Sequence, residues 1–225
     1  QLFMINPIFG GVSISRFGSE AMRRELLPKI ISGEINCCMA LTEPDTGSNS
    51  LEITTFATRA GNGWRLSGRK IWITGVESAQ KMLVIARTTK VEDSPRRTHG
   101  LTMFMIDVAR KGLTYAPIEK VGTNTLSACN VYFDDVEVDG SELVGTLDGG
   151  WYELLDVLNT ERVVTTAGLV GAADLAALDA LIELRFKPDV TVAVEGMGEI
   201  VRAKRTLIAG KNMAVLAVLP AELDF

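Results

Sequence analysis

The stretch from Ile53 to about Val144 constrains the fold most strongly, because short β-rich runs alternate there with turn-forming residues. Gly61-Asn62-Gly63 predicts a hairpin between two of these runs, since glycine and asparagine adopt the positive φ angles of tight turns. The predicted strands cover residues 53–60, 64–73, 82–88, 101–106, 113–116 and 130–138. Several short strands separated by turns favour a β-barrel or a β-sandwich.

A helical pattern precedes this region. Apolar residues recur at helical spacing from Met22 to Ile31, and Ser19 is a predicted N-cap for that helix. Pro28 is expected to kink or split the helix, because proline lacks the backbone N–H that a helix interior uses.

A second helical pattern follows the β-rich region. After Gly149-Gly150, apolar residues at helical spacing and an alanine-rich sequence predict a long helix that continues to about Leu184. The chain is therefore expected to have an α+β fold, with a helical segment at 1–35, a β-rich domain at 36–147 and a second helical segment at 148–225.

The composition of the 225-residue chain excludes several classes of function. Hydrophobic residues make up 47% and charged residues 23%, and no apolar run is long enough to predict a membrane span. The formal net charge is -5 and the basic residues are scattered, so we expect no nucleic-acid partner. Three cysteines and a single histidine without metal-site spacing predict a reduced protein with no metal site.

The first residues lack the pattern of a targeting signal. The expected compartment is therefore the cytoplasm, or the mitochondrial matrix if the source is eukaryotic. The absence of an initiator methionine indicates a fragment.

Two short motifs carry the functional hypothesis. Pro44 and Gly47 predict a structured loop at 41–48, and the run 70–75 predicts a strand in which Trp72 and Thr74 share one face. Each motif alone is typical of an ordinary turn or of a strand with a core tryptophan. Together, an aromatic ring and a hydroxyl group on one face can line a planar ligand.

The pair of motifs resembles the acyl-CoA dehydrogenase family of flavoenzymes. The matching sequences are Leu-Thr-Glu-Pro-Asp-Thr-Gly-Ser at 41–48 and Gly-Arg-Lys-Ile-Trp-Ile-Thr-Gly at 68–75. The resemblance implies the end of an N-terminal helical domain at 1–35, a flavin-binding β-barrel domain at 36–147 and part of a C-terminal helical domain at 148–225. It also implies that Ser48 contacts the substrate and that FAD is bound by Met39, Ala40, Leu41, Thr42, Trp72, Ile73 and Thr74.

The resemblance offers two candidates for the catalytic base. Glu195 lies in a segment similar to the family's late Glu-Gly-Thr-x-x-Ile-x-Arg motif, with Met197 in place of the threonine. Glu161 lies where a minority branch of the family carries its base, and the neighbouring Asn159 and Arg162 are implied to bind substrate. Because Arg162 would lower the pKa of Glu161 and weaken it as a proton acceptor, we favour Glu195.

The implied reaction removes a proton α to the thioester carbonyl of an acyl-CoA and transfers a hydride from the β carbon to flavin N5. An electron-transfer flavoprotein is the implied electron acceptor, and a homo- or hetero-oligomer is the implied assembly. The spacing before Glu195 is much shorter than in the family, which indicates a partial or internally shortened chain. A catalytically inactive, flavin-poor scaffold subunit of the same descent is the alternative.

Overall fold

The structure is a computed structural model that describes residues 6–122 and 125–183, with side chains as far as residue 176. A π-helical segment, Asn6–Val12, leads into two α-helices, α1 (Ser13–Phe17) and α2 (Glu20–Ser32). The strands are β1 (Cys37–Ala40), β2 (Phe56–Ala60), β3 (Gly63–Thr74), β4 (Lys81–Arg87), β5 (Leu101–Asp107), β6 (Leu113–Pro117), β7 (Ala128–Val138) and β8 (Leu143–Val144). One long helix, α3 (Gly150–Glu183), follows.

The eight strands form one mixed sheet in the order β6-β7-β3-β2-β4-β5-β8, with β1 paired in parallel to β4. The expected closed barrel is wrong, because β6 and β8 are the two ends of the sheet and do not pair with each other within the described residues. Strand β2 meets β4 at a single residue pair, Phe56 and Arg87. The sheet therefore consists of two halves, β6-β7-β3-β2 and β1-β4-β5-β8. They are joined through that single residue pair and pack face to face.

Two hydrophobic clusters lie on opposite sides of β4 and β5, which are the most deeply buried strands. Met82, Val84 and Phe104 point into the cluster between the two halves of the sheet. Leu83 and Met103 point into a second cluster shared with α1, α2 and the first turns of α3. Alternate residues of a strand face opposite sides of a sheet, so these two strands supply both cores.

Local sequence signals account for several element boundaries. Ser19 accepts a hydrogen bond from the Met22 amide and caps α2, as predicted, and Gly33 ends the helix with a positive φ of 77°. Pro28 lies inside α2 without splitting it. The predicted hairpin at residues 61–63 is confirmed, with Gly61 at φ 57°.

Helix α3 is anchored at its start, where Leu154 and Val157 are fully buried. The sheet and the residues up to Val164 form one compact unit, and the part of α3 after Val164 belongs to a second unit. Among the described residues, no helix combines the length and the apolar character needed to cross a membrane.

Candidate functional site

The first motif is a tight loop that begins where β1 ends. The backbone amides of Glu43 and Thr46 each donate to the other residue's carbonyl, at 3.0 and 3.1 Å, and this closes a turn with Pro44 and Asp45 at its tip. Proline at this position suits the turn because its φ is already fixed. Ser48, the expected substrate contact, follows the turn and is exposed.

A buried ion pair joins this loop to the second motif. The Lys70 ammonium donates to the Glu43 carboxylate at 2.9 Å and to the Leu41 carbonyl at 2.9 Å. The side chain of Lys70 is 0% exposed and that of Glu43 is 3% exposed. The loop and the β3 strand are thus held together by a charge-assisted contact that water does not reach.

Glu43 is satisfied by more than the lysine. Its carboxylate accepts hydrogen bonds from the Thr54 amide and hydroxyl, both at 2.7 Å, and from the Thr55 amide at 2.9 Å. Burial alone would raise the pKa of this carboxyl group, but Lys70 and the threonine donors outweigh it and lower the pKa from 4.5 to about 2. Glu43 is therefore a charged anchor of the loop.

For Lys70, burial has a larger effect on the pKa than the partner charge has. Burial lowers the pKa of Lys70 from 10.5 to about 8, against the raising effect of the Glu43 carboxylate. The pair therefore places both charges inside the protein at neutral pH, where each depends on the other for compensation.

A backbone contact completes the junction. The Ile71 amide donates to the Thr42 carbonyl at 2.9 Å, immediately beside the ion pair. Residues 41–43 and 70–71 consequently lie side by side, which brings together the two motifs that are about thirty residues apart in sequence.

Trp72 follows this junction and has an unusual backbone. The pairing of β3 with β7 shifts register between Lys70 and Ile73, and Trp72 adopts a φ of 62° within that bulge. The other positive-φ residues that are not glycine, among those the structure describes, are the aspartates Asp135 and Asp148. Aspartate tolerates this conformation, whereas a bulky side chain adopts it only under strain. Within this bulge Trp72 is 52% exposed, beside the buried Ile73.

The seven residues expected to bind FAD fall into two groups by burial. Met39, Leu41, Thr42 and Thr74 are half-buried and Trp72 is exposed. Ala40 and Ile73 are 0% and 2% exposed, so neither residue presents surface to a ligand. An exposed indole next to half-buried threonine hydroxyls fits the planar, polar-edged ring system of a flavin.

The expected substrate residues on α3 lie together. Arg162 donates to the Asn159 side chain at 3.0 Å, and both side chains are exposed, while Glu161 is half-buried. Glu195, the favoured base, lies outside the described residues.

A second buried cation, Arg87, holds the segment that follows this loop. The Arg87 guanidinium donates to the carbonyls of Leu51, Arg97 and His99, and the Arg87 amide donates to the Thr55 carbonyl at 2.8 Å. Burial lowers the pKa of this arginine. Arg87 therefore fixes the segment whose threonines hold Glu43.

Sequence reasoning missed Glu43, Lys70 and Arg87 as parts of the site. One signal was available: Trp64, Leu66 and Lys70 occupy the same parity in β3, and the first two are apolar. That parity places Lys70 on the core face of the strand, where a lysine needs a buried partner.

Comparison with known proteins finds a matching family model and similar sequences. Residues 38–136 match the family model described as acyl-CoA dehydrogenase, middle domain. A relative named acyl-CoA dehydrogenase FadE12, from Mycobacterium tuberculosis, is 34% identical over 175 residues, which are 78% of this chain and 44% of that protein. The chain thus spans less than half the length of that relative.

Two solved structures resemble the described fold. One is the glutaryl-coenzyme A dehydrogenase glutaryl-CoA complex, with a TM-score of 0.75 and 29% identity over 81% of this chain and 45% of that chain. The other is butyryl-CoA dehydrogenase from Megasphaera elsdenii, with a TM-score of 0.75 and 27% identity over 80% of this chain and 46% of that chain.

Proposed function

Because the chain belongs to the acyl-CoA dehydrogenase family, we propose that it takes part in the FAD-dependent α,β-dehydrogenation of an acyl-CoA thioester. The observation that carries this proposal is the junction of the two motifs, in which Lys70 binds both Leu41 and Glu43. That junction places half-buried Thr42 next to the strand that presents Trp72.

Residues of this chain would hold the cofactor on two sides. Trp72 would pack against the flavin ring, while Thr42 and Thr74 offer hydroxyl groups, and Met39 and Leu41 offer apolar contacts. Ala40 and Ile73 are buried and would support the neighbouring contact residues from within their strands. FAD, when bound, supplies the hydride acceptor, and the protein supplies binding and orientation.

The remaining roles fall to residues outside the junction. Ser48, Asn159 and Arg162 would bind the thioester substrate, and Glu195 would remove the α proton, with Glu161 as the alternative base. A carboxylate serves as this base only if burial raises its pKa, because an exposed glutamate is too weakly basic. Hydrogen bonds to the thioester oxygen would stabilise the negative charge that develops there.

The cofactor is tested first. The purified protein is supplied with FAD, passed through a desalting column and examined for visible flavin absorbance. Retained absorbance supports the proposal, and a colourless protein contradicts it. A panel of straight and branched saturated acyl-CoA thioesters is then added without oxygen, and bleaching of the flavin identifies the substrate class.

The base is tested by exchange of the α proton of a bound thioester in heavy water. Glu195→Gln should abolish exchange while FAD stays bound, because the amide keeps the shape of the side chain but does not accept a proton. Loss of exchange in Glu161→Gln alone would assign the role to Glu161. If the parent chain retains little FAD and shows no dehydrogenation, the alternative of a flavin-poor scaffold subunit holds.

The proposal extends to partners. An electron-transfer flavoprotein would reoxidise the reduced cofactor, and the chain would work within an oligomer. Adding a purified electron-transfer flavoprotein to the substrate-reduced protein should restore the visible absorbance, and no recovery would exclude that acceptor.

A further inference from the structure

The ion pair between Lys70 and Glu43 occupies a position that stability alone does not explain. Lys70 points to the core face of β3, in line with Trp64 and Leu66, and is among the largest fully buried side chains of the described residues. Replacing a buried ion pair by apolar side chains of similar volume is often neutral or even stabilising. An apolar residue would suit this position, so the pair has another use.

The geometry around Trp72 indicates what that use is. On one side of the bulge, Lys70 is tied to the 41–43 loop and the Ile71 amide is bonded to Thr42. On the other side, Ile73 pairs with Cys129 in β7, and the Gly75 amide donates to Ser127. The strained residue lies between two fixed points.

Backbone strain persists only where the surrounding structure enforces it. Strand β7 pairs on both sides of the bulge, with Val131 opposite Lys70 and Cys129 opposite Ile73, so that one residue of β3 is extra between the two pairs. The contacts of Lys70 with the 41–43 loop fix the point along β3 at which regular pairing stops and the bulge begins. Without the Lys70 contacts, only the pairing with β7 holds the first end of the bulge, and the extra residue can shift along β3 and move the indole away from its exposed position.

We propose that Lys70 and Glu43 are positioning residues that hold Trp72 in its exposed, positive-φ conformation and so keep the flavin-facing surface formed before the cofactor binds. The part of this inference that concerns FAD rests on the function proposed above. The part that concerns Trp72 is a property of the protein without cofactor.

The effect on affinity follows from the population of the competent conformation. A ligand that binds only one conformer has an apparent Kd equal to its intrinsic Kd divided by the fraction of that conformer. If loss of the pair leaves Trp72 in the strained conformation about a tenth of the time, FAD binding weakens about tenfold.

The test variant is Lys70→Met with Glu43→Gln, which removes both charges of the pair together, while Arg87 keeps its three carbonyl acceptors. The full chain is labelled with fluorotryptophan, and its three tryptophans give three fluorine resonances that single Trp→Phe variants assign. A soluble paramagnetic agent reports the exposure of each indole. We expect the Trp72 resonance to shift and to change its exposure, while the resonance of buried Trp64 stays in place.

The matched control removes another ion pair of the same kind. Arg110→Met with Glu142→Gln breaks a partly buried bidentate contact near the opposite end of β3, about 25 Å from Trp72 along the strand. This control should leave both the Trp72 signal and the FAD affinity unchanged. If the test variant does not fold, Lys70→Gln with Glu43→Gln gives the same comparison, because both amides are uncharged and the one at position 43 still accepts from the Thr54 and Thr55 segment.

FAD titration by flavin fluorescence is run on the same samples. A changed Trp72 signal together with about tenfold weaker FAD binding supports the proposal. An unchanged Trp72 signal overturns it, and so does an unchanged FAD affinity despite a changed signal. If the parent chain does not bind FAD, the proposed function fails, and the fluorine measurement alone decides the positioning role.

Discussion

Replacing Trp72 by glycine should give a more stable protein than replacing it by alanine. Trp72 is 52% exposed, so about half of its contact area, roughly 100 Å², is buried. Both substitutions lose that burial, about 2.5 kcal/mol at about 25 cal/mol per Å². The two variants therefore differ only in how well each residue tolerates a φ of 62°.

That difference has a definite sign. The left-handed conformation costs a residue with a Cβ roughly 1–2 kcal/mol and costs glycine almost nothing. Glycine loses about 0.5–1 kcal/mol more backbone entropy on folding. The net advantage of Trp72→Gly is about 1 kcal/mol in the free energy of unfolding, or about 2–4 °C in Tm for a chain of this size.

Urea unfolding followed by far-UV circular dichroism measures the difference. The control is Thr58, an exposed residue of β2 with ordinary strand backbone, where Thr58→Ala should be more stable than Thr58→Gly. If alanine is also the better residue at position 72, Trp72 is not held in a strained conformation, and the reasoning about the bulge is refuted.

Three further predictions follow from buried charges and exposed apolar residues. Because the pKa of Glu43 is lowered, its contribution to stability should be complete above pH 4.5 and lost as the pH falls towards 2; urea titrations should show a flatter pH dependence for Glu43→Gln. Arg87→Met leaves three backbone carbonyls without their donor and should lower the free energy of unfolding by about 3 kcal/mol, measured by urea unfolding. Helix α3 exposes Val163, Leu169 and Leu175, so sedimentation at micromolar concentration should show self-association, and a monomer alone would contradict it.

Most of the local structure follows from the sequence. The turn at residues 61–62 requires positive φ and contains Gly61, and α3 begins where Gly149-Gly150 interrupt the β pattern. These elements depend on neighbouring residues, and local chemistry is what sequence patterns record.

The closure of the sheet depends on distant contacts and could not be predicted. Strand β1 has only four residues and joins β4 across more than forty residues of chain. Whether β2 joins two half-sheets through one residue pair or through many is decided by packing on both sides, which no pattern within β2 records.

The site divides in the same way. Both motifs were recognisable, but the Glu43 and Lys70 contact was not, because parity shows that Lys70 points inwards without showing which loop it meets. The bulge at Trp72 runs against the propensity of its own residues, since Ile71, Trp72 and Ile73 favour a regular strand. Departures of this kind are expected where a backbone serves a ligand rather than the stability of the fold.

Strands β4 and β5 are buried on both faces, and this affects how the two strands select their pairing register. In a sheet with one wet face, a slip of one residue exposes apolar side chains to water, and the error is strongly disfavoured. Both faces of β4 and β5 are apolar, so a slip of one residue would move each apolar side chain from one buried core to the other. The connection from Thr88 to Gly100 is too long to set the alignment through a tight turn.

The polar ends of the two strands must then select the register. At one end Lys81 forms an ion pair with Asp107 at 2.7 Å, and at the other the Thr88 and Thr102 hydroxyls lie 2.6 Å apart. A one-residue slip breaks both contacts at once. Replacing these polar side chains by alanine should therefore yield misaligned, aggregation-prone chains more readily than shortening apolar side chains in the middle of either strand.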